Sequence, residues 1–121
     1  MSKTTWDTPF WPKGAPHTIS DYHLPLYRIL DHAAAQYPQN TFTLFQGKGK
    51  TYAQVKDTAN RVANFLARYG IKKADRVAVF LPNIPQFPEI FFGILKAGAV
   101  CVNCNPMYTA SELNHQLSDS G

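Results

Sequence analysis

The sequence is poor in the features that mark a specialised class. No apolar run approaches the roughly 20 residues that a membrane-spanning helix needs, so no transmembrane segment is expected. Met1 to Pro12 lack the basic-then-apolar order of a secretory signal, which predicts a cytoplasmic protein with reduced thiols. Cysteine is scarce: Cys101 and Cys104 are the only two. Zinc would need further ligands at suitable spacing, but His17, His23, His32 and His115 lie far apart. A redox pair would open a helix after a strand, whereas Cys101 falls inside an expected strand, so both read as buried thiols. Charge is thin as well, with 17% charged residues and a net charge of +4. Lys48, Lys50, Lys72, Lys73 and Arg76 all fall near expected element ends. That pattern reads as a solvated rim and gives no expectation of nucleic-acid binding. There is no internal repeat, no low-complexity segment and no Gly-x-Ser-x-Gly elbow.

What is present is a globular composition, 45% apolar over 121 residues, enough for one domain. Val77 to Leu81 is a continuous apolar run, which predicts a strand covered on both faces. Pro82-Asn83 breaks it, and Pro85 suits the first turn of a helix. Phe87, Ile90, Phe91, Ile94 and Leu95 recur at helical spacing as far as Ala97, and Phe91 is expected in the core. Gly98 ends that helix with positive φ, and a second strand follows over residues 100–103. This is a parallel β-α-β unit.

Upstream, residues 1–22 carry Trp6, Phe10 and Trp11 among prolines and read as an extended arm. Pro25 opens a helix with Leu26, Ile29, Leu30, Ala33 and Tyr37 on one face, and Pro38 stops it. A short hairpin is expected near 42–51, with Gln46-Gly47-Lys48-Gly49 as its turn. Thr51 and Gln54 have capping-box spacing. Behind them Tyr52, Val55, Ala59, Val62, Leu66 and Tyr69 line one face of a second helix, which Gly70 ends. Thr109 and Glu112 form another capping-box pair, with Leu113 and Leu117 on the buried side of a last helix. The fold class is therefore α/β: a partial layered sandwich with four helices over residues 23–121.

Candidate chemistry is sparse. Gly49-Lys50-Thr51 looks like the tail of a phosphate-binding loop, but the full motif needs glycine where Leu44 stands, and a turn with a helix cap explains the same residues. Asp21, Asp31, Asp57, Asp75, Glu89, Glu112 and Asp119 show no pairing for acid–base work, and Glu89 suits the dipole of a helix first turn. Asn83 and Asn105-Pro106 follow the C-terminal ends of two parallel strands, where ligands bind in open α/β sheets. Each also suits a cap or turn, which is the favoured reading. No catalytic, cofactor-binding or metal-binding residue is assigned.

Two stretches go further than periodicity. Thr51-Tyr52-Ala53-Gln54-Val55 resembles the first recurrent motif of the adenylate-forming enzymes, and Leu95 to Val100, running to Asn105-Pro106, resembles their second. Asn105 to Thr109, with Glu112-Leu113, His115-Gln116-Leu117 and Asp119-Ser120-Gly121, resembles the fatty acid–CoA ligase branch. The arm Trp11 to Pro16, with Leu26-Tyr27 and Tyr37-Pro38, is similar to the same branch. The resemblance implies an ATP-dependent ligase that adenylates a carboxylate and then forms a thioester with coenzyme A, with magnesium on the phosphates. It further implies an N-terminal fragment of such an enzyme. The family's Ser/Thr/Gly-rich phosphate loop, its acidic ribose-binding residue and its C-terminal lysine have no counterpart among these residues, so the fragment alone is expected to be inactive. Another acid–CoA ligase of the superfamily, or a stand-alone binding or interaction domain, are the alternatives. The resemblance also implies pieces of two incomplete sheets. Their open edges predict a homodimer or higher oligomer, with the arm or a helix as candidates for exchange.

Overall fold

A computed structural model describes residues 12–16, 18 and 23–121. Most of the expected arm, including Trp6, Phe10, Trp11 and also His17, lies outside the described residues. The described chain runs α1 (Tyr27–Gln36), β1 (Thr41–Phe45), β2 (Lys48–Thr51), α2 (Tyr52–Tyr69), β3 (Arg76–Phe80), α3 (Gln86–Lys96), β4 (Val100–Cys104) and α4 (Ala110–Ser120). The strands form two small sheets: β1 and β2 are antiparallel, and β3 and β4 are parallel. The α/β class, the hairpin, the β-α-β unit and the four helices follow the sequence reading.

The hairpin is tighter than expected. Phe45 pairs with Lys48, so only Gln46 and Gly47 turn, with φ of 48° and 77°. Two left-handed residues match the twist of a two-residue hairpin, and Lys48 and Gly49 belong to β2 instead of the turn. Thr51 then closes the strand and caps α2: its Oγ1 accepts from the Gln54 N–H at 3.3 Å, and Gln54 Oε1 accepts from the Thr51 N–H at 2.9 Å. Thr109 and Glu112 make the second capping box at α4. Hydrogen bonds from the Thr109 N–H, and then from its hydroxyl, hold the Glu112 carboxyl below the usual carboxylate range.

Two helices end in the same way. Gly70 has φ 98°, its N–H donates to Ala67 O at 3.2 Å, and the Ile71 N–H donates to Leu66 O at 3.0 Å. Gly98 has φ 78°, its N–H donates to Leu95 O at 3.1 Å, and the Ala99 N–H donates to Ile94 O at 3.2 Å. Each is a Schellman ending, in which a left-handed glycine lets the next residue fold back onto the last turn. Leu66, Ile71, Ile94 and Ala99 all join the apolar cluster around Val79, so each helix exit delivers the chain to its strand.

Burial corrects several expectations. One face of the parallel pair is covered by α3, and the other is covered only in part, at Cys104. Val79 is buried and Val77 and Cys101 pack beside it, against Ile94, Phe87 and Ile90 of α3. Ala78, Phe80 and Val100 on the other face are exposed. Among the described elements, α4 touches β4, where Cys104 is buried and Val102 half-buried, while Ala78 and Phe80 stay exposed. On α1 the buried line is Leu30 and Ala34, while Leu26, Ile29 and Tyr37 are exposed. The helix meets α2 and α3 along a narrow strip, which its apolar residues exceed. Tyr69 lies beyond the packed part of α2, and Leu117 beyond that of α4; both are exposed. The deepest position of α3 is Ile94, 0% exposed; Phe91 is half-buried and stacks on Phe87 at 6.1 Å.

Polar contacts tie the helices together. Lys96 Nζ donates to Asp31 Oδ1 of α1 at 2.5 Å and to Asn60 Oδ1 of α2 at 2.9 Å, and lies 5.8 Å from the Tyr27 ring centroid. Lys56 reaches the same Asp31 oxygen at 3.7 Å. One lysine thus holds three helices at a single junction.

Candidate functional site

The carboxyl ends of β3 and β4 open into a cleft of about 540 Å³. Parallel strands point their carboxyl ends the same way, so the loops that leave them share one rim. Asn83 comes from the β3–α3 loop; Asn105, Pro106 and Tyr108 come from the β4–α4 loop; Asn103 and Phe87 complete the wall. The structure therefore brings together Asn83 and Asn105-Pro106, which are more than twenty positions apart in sequence. Asn105 is also the turn residue the sequence favoured: its Oδ1 accepts from the Met107 N–H at 3.0 Å, and its carbonyl accepts from the Tyr108 N–H at 3.0 Å. The Asn83 amide has no hydrogen-bond partner among the described residues. The cleft offers neutral donors and acceptors beside an aromatic ring, which suits recognition of polar uncharged groups. None of its named lining residues is charged.

The other sequence candidates sit elsewhere. Gly49 and Lys50 lie in β2 and Thr51 caps α2, so no backbone cradle for a phosphate forms there. The Lys50 ammonium is already engaged: Nζ lies 2.6 Å from Glu89 Oε1. Glu89 is 2% exposed. The sequence placed it by the helix dipole alone, and the structure adds this cross-chain partner. By helical spacing Glu89 shares its side of α3 with Gly93 and not with Phe87 and Ile94, so the apolar stripe gave no signal that it is buried.

Cys101 and Cys104 are free, with Cys104 buried and Cys101 half-buried. Residues three apart in a strand point to opposite faces, and their Cα atoms stand roughly 10 Å apart at strand rise, too far for a disulfide. Burial, and secondarily the neighbouring Cys104, push the Cys101 thiol up from its ordinary value. That disfavours the reactive thiolate. Among the described residues, no three His, Cys, Asp or Glu side chains converge on a point.

Both resemblance motifs occupy joints of the fold. The first spans the end of β2, the Thr51 cap and the start of α2. The second spans the end of α3, the Gly98 turn and β4. Residues 30–121 match the family of AMP-binding enzymes. The chain belongs to that family. It is 39% identical over 113 residues to a long-chain-fatty-acid–CoA ligase of Salmonella typhimurium, covering 92% of this chain and 20% of that protein. The corresponding ligase of Bacillus subtilis is 40% identical over 110 residues, covering 91% and 20%. Among solved structures, a Mycobacterium tuberculosis fatty acyl CoA synthetase superposes with a TM-score of 0.73 at 38% identity, over 78% of this chain and 19% of that one. The apo structure of MbtA from Mycobacterium smegmatis gives a TM-score of 0.77 at 36% identity, over 82% and 19%. The chain thus spans about one fifth of the length of the curated relatives it matches. The adenylate-forming assignment read from the two motifs holds, as does the likeness to fatty acid–CoA ligases.

Proposed function

We propose that this chain is the N-terminal part of an ATP-dependent fatty acid–CoA ligase of the cytoplasm. The whole enzyme would join a fatty acid carboxylate to AMP with release of pyrophosphate, then transfer the acyl group to the thiol of coenzyme A with release of AMP. The observation that carries this reading is the family match over residues 30–121 together with relatives named long-chain-fatty-acid–CoA ligases at 39–40% identity. Magnesium would screen the triphosphate in such a reaction. The residues described here do not fit a magnesium or triphosphate site: Lys50 is paired with Glu89, Asp75 Oδ2 accepts from the Lys72 N–H at 2.7 Å, and Glu112 is spent on a helix cap. Their contribution is architectural. They set the β-α-β joint and the wall of the Asn83–Asn105 cleft.

The test is an assay of the 121-residue chain with ATP, magnesium, coenzyme A and palmitate. We expect no acyl-adenylate and no acyl-CoA. Pyrophosphate release above a heat-killed control would overturn the architectural role. A phosphate loop encoded further along the same reading frame would support the whole-enzyme reading. A second reading, a stand-alone binding domain, is favoured by the cleft itself. Calorimetric titration with magnesium-ATP and with a fatty acid separates the two, since only the second reading expects heat of binding.

A further inference from the structure

We draw no further inference here: the strongest candidate, the apolar groove between the β1–β2 hairpin and the β3–α3 loop, lined by Leu44, Phe45, Ile84 and Phe87, carries nothing, because the chain spans about one fifth of the length of the curated relatives it matches and nothing in the structure shows what covers that groove.

Discussion

Gly93 of α3 lies directly against Val62 of α2: a β-carbon at position 93 would sit 2.5 Å from Val62 Cγ1 and 3.0 Å from the Ala59 carbonyl oxygen. The two helices approach closely because position 93 has no side chain. Mid-helix glycine costs about 1 kcal/mol relative to alanine, so helix propensity alone would favour Gly93→Ala. Overpacking a close helix–helix contact costs about 1–3 kcal/mol or more, and here the clash includes backbone. We expect Gly93→Ala to lower the denaturation midpoint, with a net loss of stability of ~1 kcal/mol. Val62→Ala should make room, so the double variant should lose less than the sum of the two singles. A raised midpoint for Gly93→Ala would show that α2 and α3 are not held this closely.

The Lys50–Glu89 pair makes a different kind of prediction. Glu89 is buried and Lys50 is partly exposed. Removing only the lysine leaves a carboxylate in an apolar wall without its partner. Lys50→Met should therefore destabilise by about 2 kcal/mol, below the roughly 3–5 kcal/mol of a fully buried pair, because solvent still reaches the lysine side. Lys50→Met with Glu89→Leu should recover most of that loss, since no charge remains to bury. Chemical denaturation of the three variants measures the coupling, and strictly additive losses would contradict it.

Gly98 tests the helix ending. A β-carbon there would meet Lys73 Cγ at 3.6 Å, an ordinary contact. Only the left-handed backbone then penalises a side chain. Gly98→Ala should cost about 1 kcal/mol, with lost amide protection at Ala99 and at Ala74, whose N–H donates to Gly98 O at 2.9 Å. Hydrogen exchange at those two amides separates a local opening from a global loss.

These residues also show what the sequence could and could not tell. Caps and stops are local, so Thr51–Gln54, Thr109–Glu112, Gly70 and Gly98 were readable from spacing alone. The apolar periods located the helices and the strands β1, β3 and β4, while β2, which carries no apolar residue, followed only from the hairpin turn. Partners distant in sequence were not readable: Lys50 and Glu89 are 39 positions apart, and Lys96 and Asp31 are 65 apart. Nothing in the period of α3 separates Gly93, pressed on Val62, from a glycine on an open face. Periodicity likewise marks which residues are apolar without saying how wide a strip the neighbours cover, which is why Ile29, Tyr37 and Phe80 were placed too deep. The cleft is an intermediate case. The parallel-strand rule brought Asn83 and Asn105 to one end, but the contribution of Tyr108 to its wall depended on how the Asn105 turn closes.

The open face of the parallel pair carries the last prediction. Phe80 is 44% exposed and Val100 is 47% exposed, beside an exposed Ala78. β3 and β4 pair only with each other among the described strands, which leaves an unpaired backbone edge on each. Apolar surface next to a free strand edge recruits another copy. We expect the chain to form a homodimer or higher oligomer in solution. Burial of this face should dominate, so dissociation should respond to denaturant more than to salt. Phe80→Lys places a charge on that face, at the end of β3, and should shift the population toward monomer while leaving the Val79–Ile94 cluster intact, because position 80 points away from it. Light scattering over a dilution series reads both proteins. A wild-type chain that stays monomeric at high micromolar concentration, unfolds cooperatively and binds no apolar dye would show that the Phe80 face is content in water and that the argument from exposure fails.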